Sequence, residues 1–317
     1  VRITALFAKE GWMARVTIDG DASKSTATEE QYRRLETGDI LYFPETPFTL
    51  TQEERAFLLS QKQIDASYHK NISYRPAEDR LKGVDQKDPD ERDRMHKVMR
   101  GYSERAIAFM KSFLSRYASD WKIDFASFRP IEEEGRKVSL RSRNDLIHVD
   151  SFPSRPSHGD RLLRIFTNIH PDRSRIWVTS DNFEQLAWQY AAKARLPHQP
   201  TRLGKFKSQA TRVLSGLGLP VVDRPLYDQF MLRFHHFLKE SETFQRECPK
   251  DRWEFPPNST WIVFTDTTSH SCISGQYALE QTFIVRRNSL VFPDKAPIAI
   301  LERMAGFPLA SAKAKSA

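Results

Sequence analysis

Between residues 94 and 118 the side chains of Tyr102, Ala106, Phe109, Met110, Phe113, Leu114 and Tyr117 recur at steps of three and four. That spacing gathers them on one stripe and predicts an amphipathic helix. The same period returns over 224–240, where Tyr227, Phe230, Met231, Phe234, Phe237 and Leu238 form a second stripe. Two shorter helices are expected after capping boxes. One follows Thr51 and Glu54 and carries Phe57, Leu58 and Leu59; the other, near 182–194, follows Asp181 and Glu184. Elsewhere the period shortens to two. Residues 38–48, 121–129, 137–141, 146–150, 161–169, 175–179, 260–265, 277–286 and 297–301 read as short strands bounded by Pro, Gly and Asp.

No crossover helix follows each strand, so a parallel βαβ sheet is excluded. The order fits a mainly β protein, a jelly roll or cupin-like double-stranded β-helix buttressed by helices. We expect one domain over 1–317, with mainly helical support in 1–120 and the jelly-roll core in 121–180 and 258–305. A helical insertion is expected over 181–257, and a flexible tail over 309–317. Residues 67–94 read as a long exposed connection, and 198–220 as a basic, Gly-containing segment.

Composition narrows the class. With 317 residues, 39% hydrophobic and mixed charge signs, the chain has enough apolar material for a core, which excludes disorder. Cys248 and Cys272 are too few for a disulfide framework or a Cys-based zinc module. No apolar run reaches the roughly 18 residues of a spanning helix. The opening stretch, broken by Lys9 and Glu10, makes a poor signal peptide, so a soluble cytoplasmic protein is expected. The net charge of +8 points to an anionic partner. No nucleic-acid-binding motif accompanies it, so nucleic acid is not expected.

The sharpest chemistry lies in Asn144-Asp145-Leu146-Ile147-His148-Val149-Asp150. In a strand, His148 and Asp150 point to the same face. An imidazole beside a carboxylate supplies two ligands of the 2-His-1-carboxylate triad that leaves positions open on Fe(II), although zinc or manganese could use the same groups. A third ligand must arrive by folding. His270, which follows the apolar run Trp261-Ile262-Val263-Phe264-Thr265, is the candidate. The other histidines, including His235 and His236 in the second helix, read as surface groups or local hydrogen bonders. Cys272 reads as a packed thiol.

Arginine is the second signal. A 2-oxoglutarate-dependent iron enzyme needs a guanidinium for the far carboxylate of its cosubstrate, with a hydroxyl alongside. Arg286, with Thr282 on the same face of the late strand, is one candidate; Arg164 with Asn168 is another, and Arg287 is an adjacent rival. Arg136, Arg141, Arg143, Arg155, Arg161, Arg164, Arg173 and Arg175 crowd the His148 segment, and of these Arg141, Arg143 and Arg155 are candidates for carboxylates or phosphates of a substrate.

Residues 143–183, RNDLIHVDSFPSRPSHGDRLLRIFTNIHPDRSRIWVTSDNF, and 269–285, SHSCISGQYALEQTFIV, resemble the Kdo 3-hydroxylase family. One departure is His170, where Asn is expected in the N-I-N-P segment. The resemblance implies a double-stranded β-helix with His148, Asp150 and His270 as iron ligands. It also implies Fe(II), 2-oxoglutarate and O2 as cofactors, with ascorbate as a reductant in vitro. The implied substrate is Kdo (3-deoxy-D-manno-oct-2-ulosonic acid) on lipid A. That would place the protein in the cytoplasm, at the inner face of a Gram-negative inner membrane, with the basic stretch 201–212 suited to lipid phosphates. Two rival readings remain: an iron/2-oxoglutarate oxygenase for another anionic substrate, and a non-enzymatic cupin-like module binding an acidic glycan or lipid.

Overall fold

The computed structural model describes residues 13–61, 71–84, 88–197 and 224–310. The basic segment 198–220, with its 201–212 stretch, lies outside these residues. The long helical stripe forms α3 (Pro89–Phe113), continued by a single turn, α4 (Ser115–Ala118). Its apolar positions pack against an eight-stranded sheet. Along that sheet the order is β1 (Arg15–Thr17), β2 (Ile40–Phe43), β9 (Thr260–Phe264), β6 (Arg161–Asn168), β11 (Ala278–Val285), β5 (Trp121–Arg129), β3 (Ile72–Arg75) and β4 (Arg80–Lys82). A three-stranded sheet, ordered β10 (His270–Ser274), β7 (Arg175–Thr179) and β8 (Asp251–Phe255), faces it.

The strand period of two sorts the side chains between these layers. Leu163 and Ile165 of β6, Ile262 and Phe264 of β9, and Leu279 and Phe283 of β11 join Met99, Tyr102, Ala106 and Met110 of α3 in the large core. The alternate residues Phe166, Trp261 and Val263 turn the other way. There they meet Trp177, Phe255 and Cys272 of the smaller sheet in a second, aromatic cluster. Two facing sheets, helices behind the larger one and no closed barrel make the jelly-roll-like fold expected from the strand pattern.

Several elements differ from the expectation. Residues 297–301 are not a strand but the first part of a helix, α8 (Pro297–Ala305). Ile298 and Leu301 are buried one turn apart, Pro297 opens the helix, and Gly306 (φ 77°) closes it, all helix-terminus signals. Residues 137–141 form no strand, because no neighbouring strand pairs with them; Leu140–Ser142 make a 3-10 turn. In α5 (Phe183–Tyr190) the cap is Asn182 with Gln185, one residue beyond the expected pair. The segment 1–120, expected to be mainly helical, also supplies β1 to β4, alongside α1 (Glu29–Glu36) and α2 (Gln52–Ser60). The expected insertion carries β8 besides α6 (Leu226–Glu240) and α7 (Glu242–Glu247). These strands are short or charged, so pairing rather than hydrophobic alternation reveals them. At the tail, Leu309 and Ala310 are buried, and the Leu309 carbonyl accepts from the Tyr227 N–H at 3.1 Å.

Gly275 turns the chain from β10 into β11 at φ 134°. A Cβ there would lie 2.6 Å from Cγ of the buried Arg175. Gly275→Ala is therefore expected to lower stability by about 1–3 kcal/mol through backbone strain and overpacking. Urea unfolding checks it, and a variant as stable as the parent would contradict the packing described.

Candidate metal centre

The segment 144–150 is not a full strand; it runs beside the free edge of β10. The His148 N–H donates to the His270 carbonyl at 3.0 Å, and the His270 N–H returns to His148 at 2.8 Å. At its two ends, Cys272 N–H donates to the Asn144 carbonyl (2.8 Å) and Asp150 N–H to the Thr265 carbonyl (2.7 Å). This ladder brings together residues 122 positions apart in the chain. His148 and Asp150, two apart, project to one side, and His270 faces them from the paired strand.

Both imidazoles are set by the backbone. Nδ1 of His148 lies 2.7 Å from the Leu146 carbonyl, and Nδ1 of His270 lies 2.8 Å from the Thr268 carbonyl. A carbonyl only accepts, so each Nδ1 carries the proton and each Nε2 keeps its lone pair. Those lone pairs meet Asp150, with Nε2 of His148 3.5 Å from Oδ1 and Nε2 of His270 4.0 Å from Oδ2. The His270 ring also stacks on Trp177, with centroids 4.9 Å apart.

The electrostatics suit a cation. Burial pushes His148 down from the usual histidine value and takes His270 to about 4. Burial alone would raise Asp150, yet the Arg164 guanidinium, together with His148 and His270, outweighs it and holds the carboxyl well below the usual range. Asp150 Oδ2 is buried and accepts no well-directed hydrogen bond among the described residues, although Arg164 Nη1 lies 3.1 Å away. Two neutral imidazoles and an ionised carboxylate with an unsatisfied oxygen form a donor set that fits a first-row divalent ion.

His235, expected to be a local hydrogen bonder, also belongs here. On α6, its Nδ1 donates to the carbonyl of Val149, between the two ligands, at 2.8 Å. Ligand atoms of His148, Asp150 and His235 all lie within 4.8 Å of one another. The helical stripe of its neighbours hid it: His235 follows Phe234 directly, and only the packing of α6 against residue 149 turns it inward.

Deeper in, four guanidiniums share the interior with carboxylates. Arg164 Nη1 lies 3.3 Å from Glu280 Oε1, and Arg129 Nε donates to Glu280 Oε2 at 3.0 Å. Glu133 lies 3.5 Å from Arg136 and 3.7 Å from Arg175. Nε of Arg136, Arg164 and Arg175, and Nε1 of Trp177, are buried donors with no hydrogen-bond partner among the described residues. Counting Asp150, Glu133 and Glu280, the cations outnumber the carboxylates by one, so the interior fits an anion beside the metal. Arg136 and Arg175 belong to the run of arginines expected near the His148 segment, whereas sequence reading missed Arg129, since a single arginine at a strand end carries no spacing signature of its own.

The other expected residues are scattered. Arg286 lies beyond the end of β11 at the surface, paired with Asp120 at 3.1 Å, because the strand ends before its side chain could turn inward. Thr282 does face the interior, donating to Glu280 Oε1 at 3.1 Å. Asn168 is structural, bonding the carbonyls of Arg173 and Phe255 (both 2.9 Å). His170 accepts from the Arg173 N–H at 3.0 Å and shapes the turn between β6 and β7. Cys272 is a packed thiol pushed up to about 11 by burial. Arg141 pairs with Glu240 and Arg143 with Asp145, both half-exposed. Arg155 pairs with Asp124 and borders a cleft that reaches Asp150, Phe152 and Met231.

Burial holds His148, His235 and His270 below the ordinary value of about 6.5, so the unfolded chain binds their protons more readily. Stability of the metal-free protein is thus complete above pH 6.5. For His270 it is expected to fall as the pH drops towards about 4, by about 1.4 kcal/mol per pH unit, with His148 and His235 acting in the same direction. Urea midpoints across that window test this. His270→Gln should flatten the profile, and an unchanged slope would show that His270 is not buried as a neutral ring.

Comparison with known proteins follows the same lines. The family model described as 3-deoxy-D-manno-oct-2-ulosonic acid (Kdo) hydroxylase matches residues 19–308. No curated protein matches the sequence. Among solved structures, the chain is similar to the Kdo hydroxylase KdoO, a non-heme Fe(II) α-ketoglutarate-dependent dioxygenase. Its complex with α-ketoglutarate and Fe(III), at a TM-score of 0.80 and 33% identity, is matched over 96% of this chain and 99% of that one. The apo form and the cobalt(II) complex match with the same values. A match over most of the chain, in sequence and in fold, places this protein in the Kdo hydroxylase family.

Proposed function

We propose that the protein hydroxylates C3 of the Kdo sugar of Kdo-lipid A, with Fe(II) held by His148, Asp150 and His270. The observation that carries this reading is the convergence of those three side chains beside an interior with a surplus guanidinium. Fe(II), 2-oxoglutarate and O2, once bound, supply the power to break an unactivated C–H bond, and the 2-oxo acid leaves as succinate and CO2. The residues of the chain do the placing. His148 and His270 present fixed lone pairs, and Arg164 keeps Asp150 ionised. Ile147 and Val149, both buried, close the site from the core side and keep bulk water away.

The distal carboxylate of 2-oxoglutarate belongs on Arg129 and Arg175 rather than on Arg286. Cys272 feels the charges of both arginines and sits two residues along β10 from His270, on the same face. Two residues of strand span about 6.6 Å, which suits a five-carbon diacid reaching from the metal to these guanidiniums. Arg155 is our candidate for the Kdo carboxylate, since it lies on the cleft that leads to Asp150. Among the described residues no helix is long and apolar enough to cross a membrane. We place the protein against the cytoplasmic face of the inner membrane by virtue of its lipid-linked substrate and its net charge of +8.

Purified Kdo-lipid A incubated with the protein, Fe(II), ascorbate, 2-oxoglutarate and O2 should gain one oxygen on the Kdo unit by mass spectrometry. The gain should vanish without 2-oxoglutarate and in His148→Ala or Asp150→Ala. Steady succinate release without that gain would redirect the reading to another anionic substrate. For the cosubstrate, Arg129→Met should raise the KM for 2-oxoglutarate roughly 10- to 100-fold, the worth of a charge-assisted contact. A KM that does not move would return the carboxylate to another arginine.

A further inference from the structure

The cleft beside Asp150 shares Arg155 and Ser157 with a second, outer cleft lined by Lys122, Asp124, Pro156, Asp160, Ile284 and Arg286. The mechanism leaves this outer cleft unused. Its divider is fixed: the Arg155 guanidinium lies between the rings of Phe125 (4.0 Å to the centroid) and Phe152 (4.3 Å), and it pairs with Asp124. Of the two acids of the outer cleft, Asp124 is paired with Arg155 and Asp160 accepts from the N–H of Arg287 (3.3 Å), and the three cations of the lining outnumber them. The two remaining cations are available. Lys122 makes no ion pair among the described residues, and Arg286 is held only by Asp120, in a pair whose side chains are 36% and 42% exposed. Such an exposed pair contributes little and exchanges readily for a better anion. Ile284 and Pro156 remove part of the surrounding water, which strengthens a charge contact there.

We propose that Lys122 and Arg286 form a second anion subsite, which takes a carboxylate or phosphate carried by the substrate outward of the sugar held at Arg155. The proposal rests on the substrate reading above and adds that the enzyme selects substrates with two anionic groups. A singly charged sugar engages Arg155 alone; a doubly charged one also engages the outer pair and is bound in one orientation.

Three compounds test it: the methyl glycoside of Kdo, the same glycoside bearing a phosphomonoester, and a Kdo disaccharide. In the parent protein the doubly charged compounds should show a KM about tenfold below that of the simple glycoside, the gain from one added charge-assisted contact. In Lys122→Gln/Arg286→Gln that ratio should collapse towards one, and Lys122→Arg should restore most of it. A response to the phosphorylated glycoside alone identifies a phosphate subsite; a response to the disaccharide alone identifies a carboxylate subsite. A ratio that is unchanged in the double variant, or that is one already in the parent, overturns the proposal. Equilibrium binding of the same compounds, followed by calorimetry, reads the ratio without turnover. If no compound is oxidised, the substrate reading fails, while the binding ratio still decides for or against the subsite.

Discussion

Two reciprocal backbone hydrogen bonds between His148 and His270 are the constraint on which the site depends. They attach an irregular segment to the open edge of the smaller sheet, so that two ligand-bearing stretches run side by side with their side chains aimed at one point. The carbonyls of Leu146 and Thr268 then fix both ring tautomers from within the same stretches. The backbone thus sets both the position and the protonation of the two imidazoles. Asp150 follows from the period of two, and His235 adds a tether from α6 to the residue between the ligands.

Around that point the interior is divided by chemistry. At one end the two sheets close over Trp177, Phe255 and Trp261, as a β-sandwich core does. Towards the metal centre the same strand faces carry Arg164 on β6, Glu280 on β11 and Arg129 on β5 instead. A sandwich can bury so many charges only when they are paired, and the unmatched donors that remain among the described residues leave room in the charge balance for an anion. The aromatic cluster and the charged cluster thus lie at opposite ends of the space between the two sheets.

Much of this was legible in the residues. The three- and four-residue steps of α3 and α6 appear because each buries a continuous stripe, and β5, β6, β7, β9 and β11 appear because each alternates or is apolar throughout. The pair His148 and Asp150 was readable because a strand fixes the relation of residues two apart. What stayed hidden is what pairing decides. β1, β3, β4 and β8 are short and polar, and they become strands only when a neighbour offers its hydrogen bonds. The place of Arg286 was not legible, because the strand face does not continue past Val285 and the chain turns there, leaving Arg286 beside Asp120. Arg129 stayed hidden for the converse reason, since its contact with Glu280 depends on β5 lying next to β11.

The place of β11 has a consequence for how the molecule is made. Among the described residues it is the last strand in the chain, yet it lies in the middle of the large sheet, between β6 and β5. Before residues 278–285 are in place, β1, β2, β9 and β6 can form one ribbon and β5, β3 and β4 another, with no hydrogen bonds between them. Glu280, which ties Arg164 to Arg129 across that seam, arrives with the same strand. A chain without that strand therefore has neither a joined sheet nor the carboxylate that links Arg164 to Arg129. Joining the large sheet and linking its buried charges are thus a single event, carried by one strand.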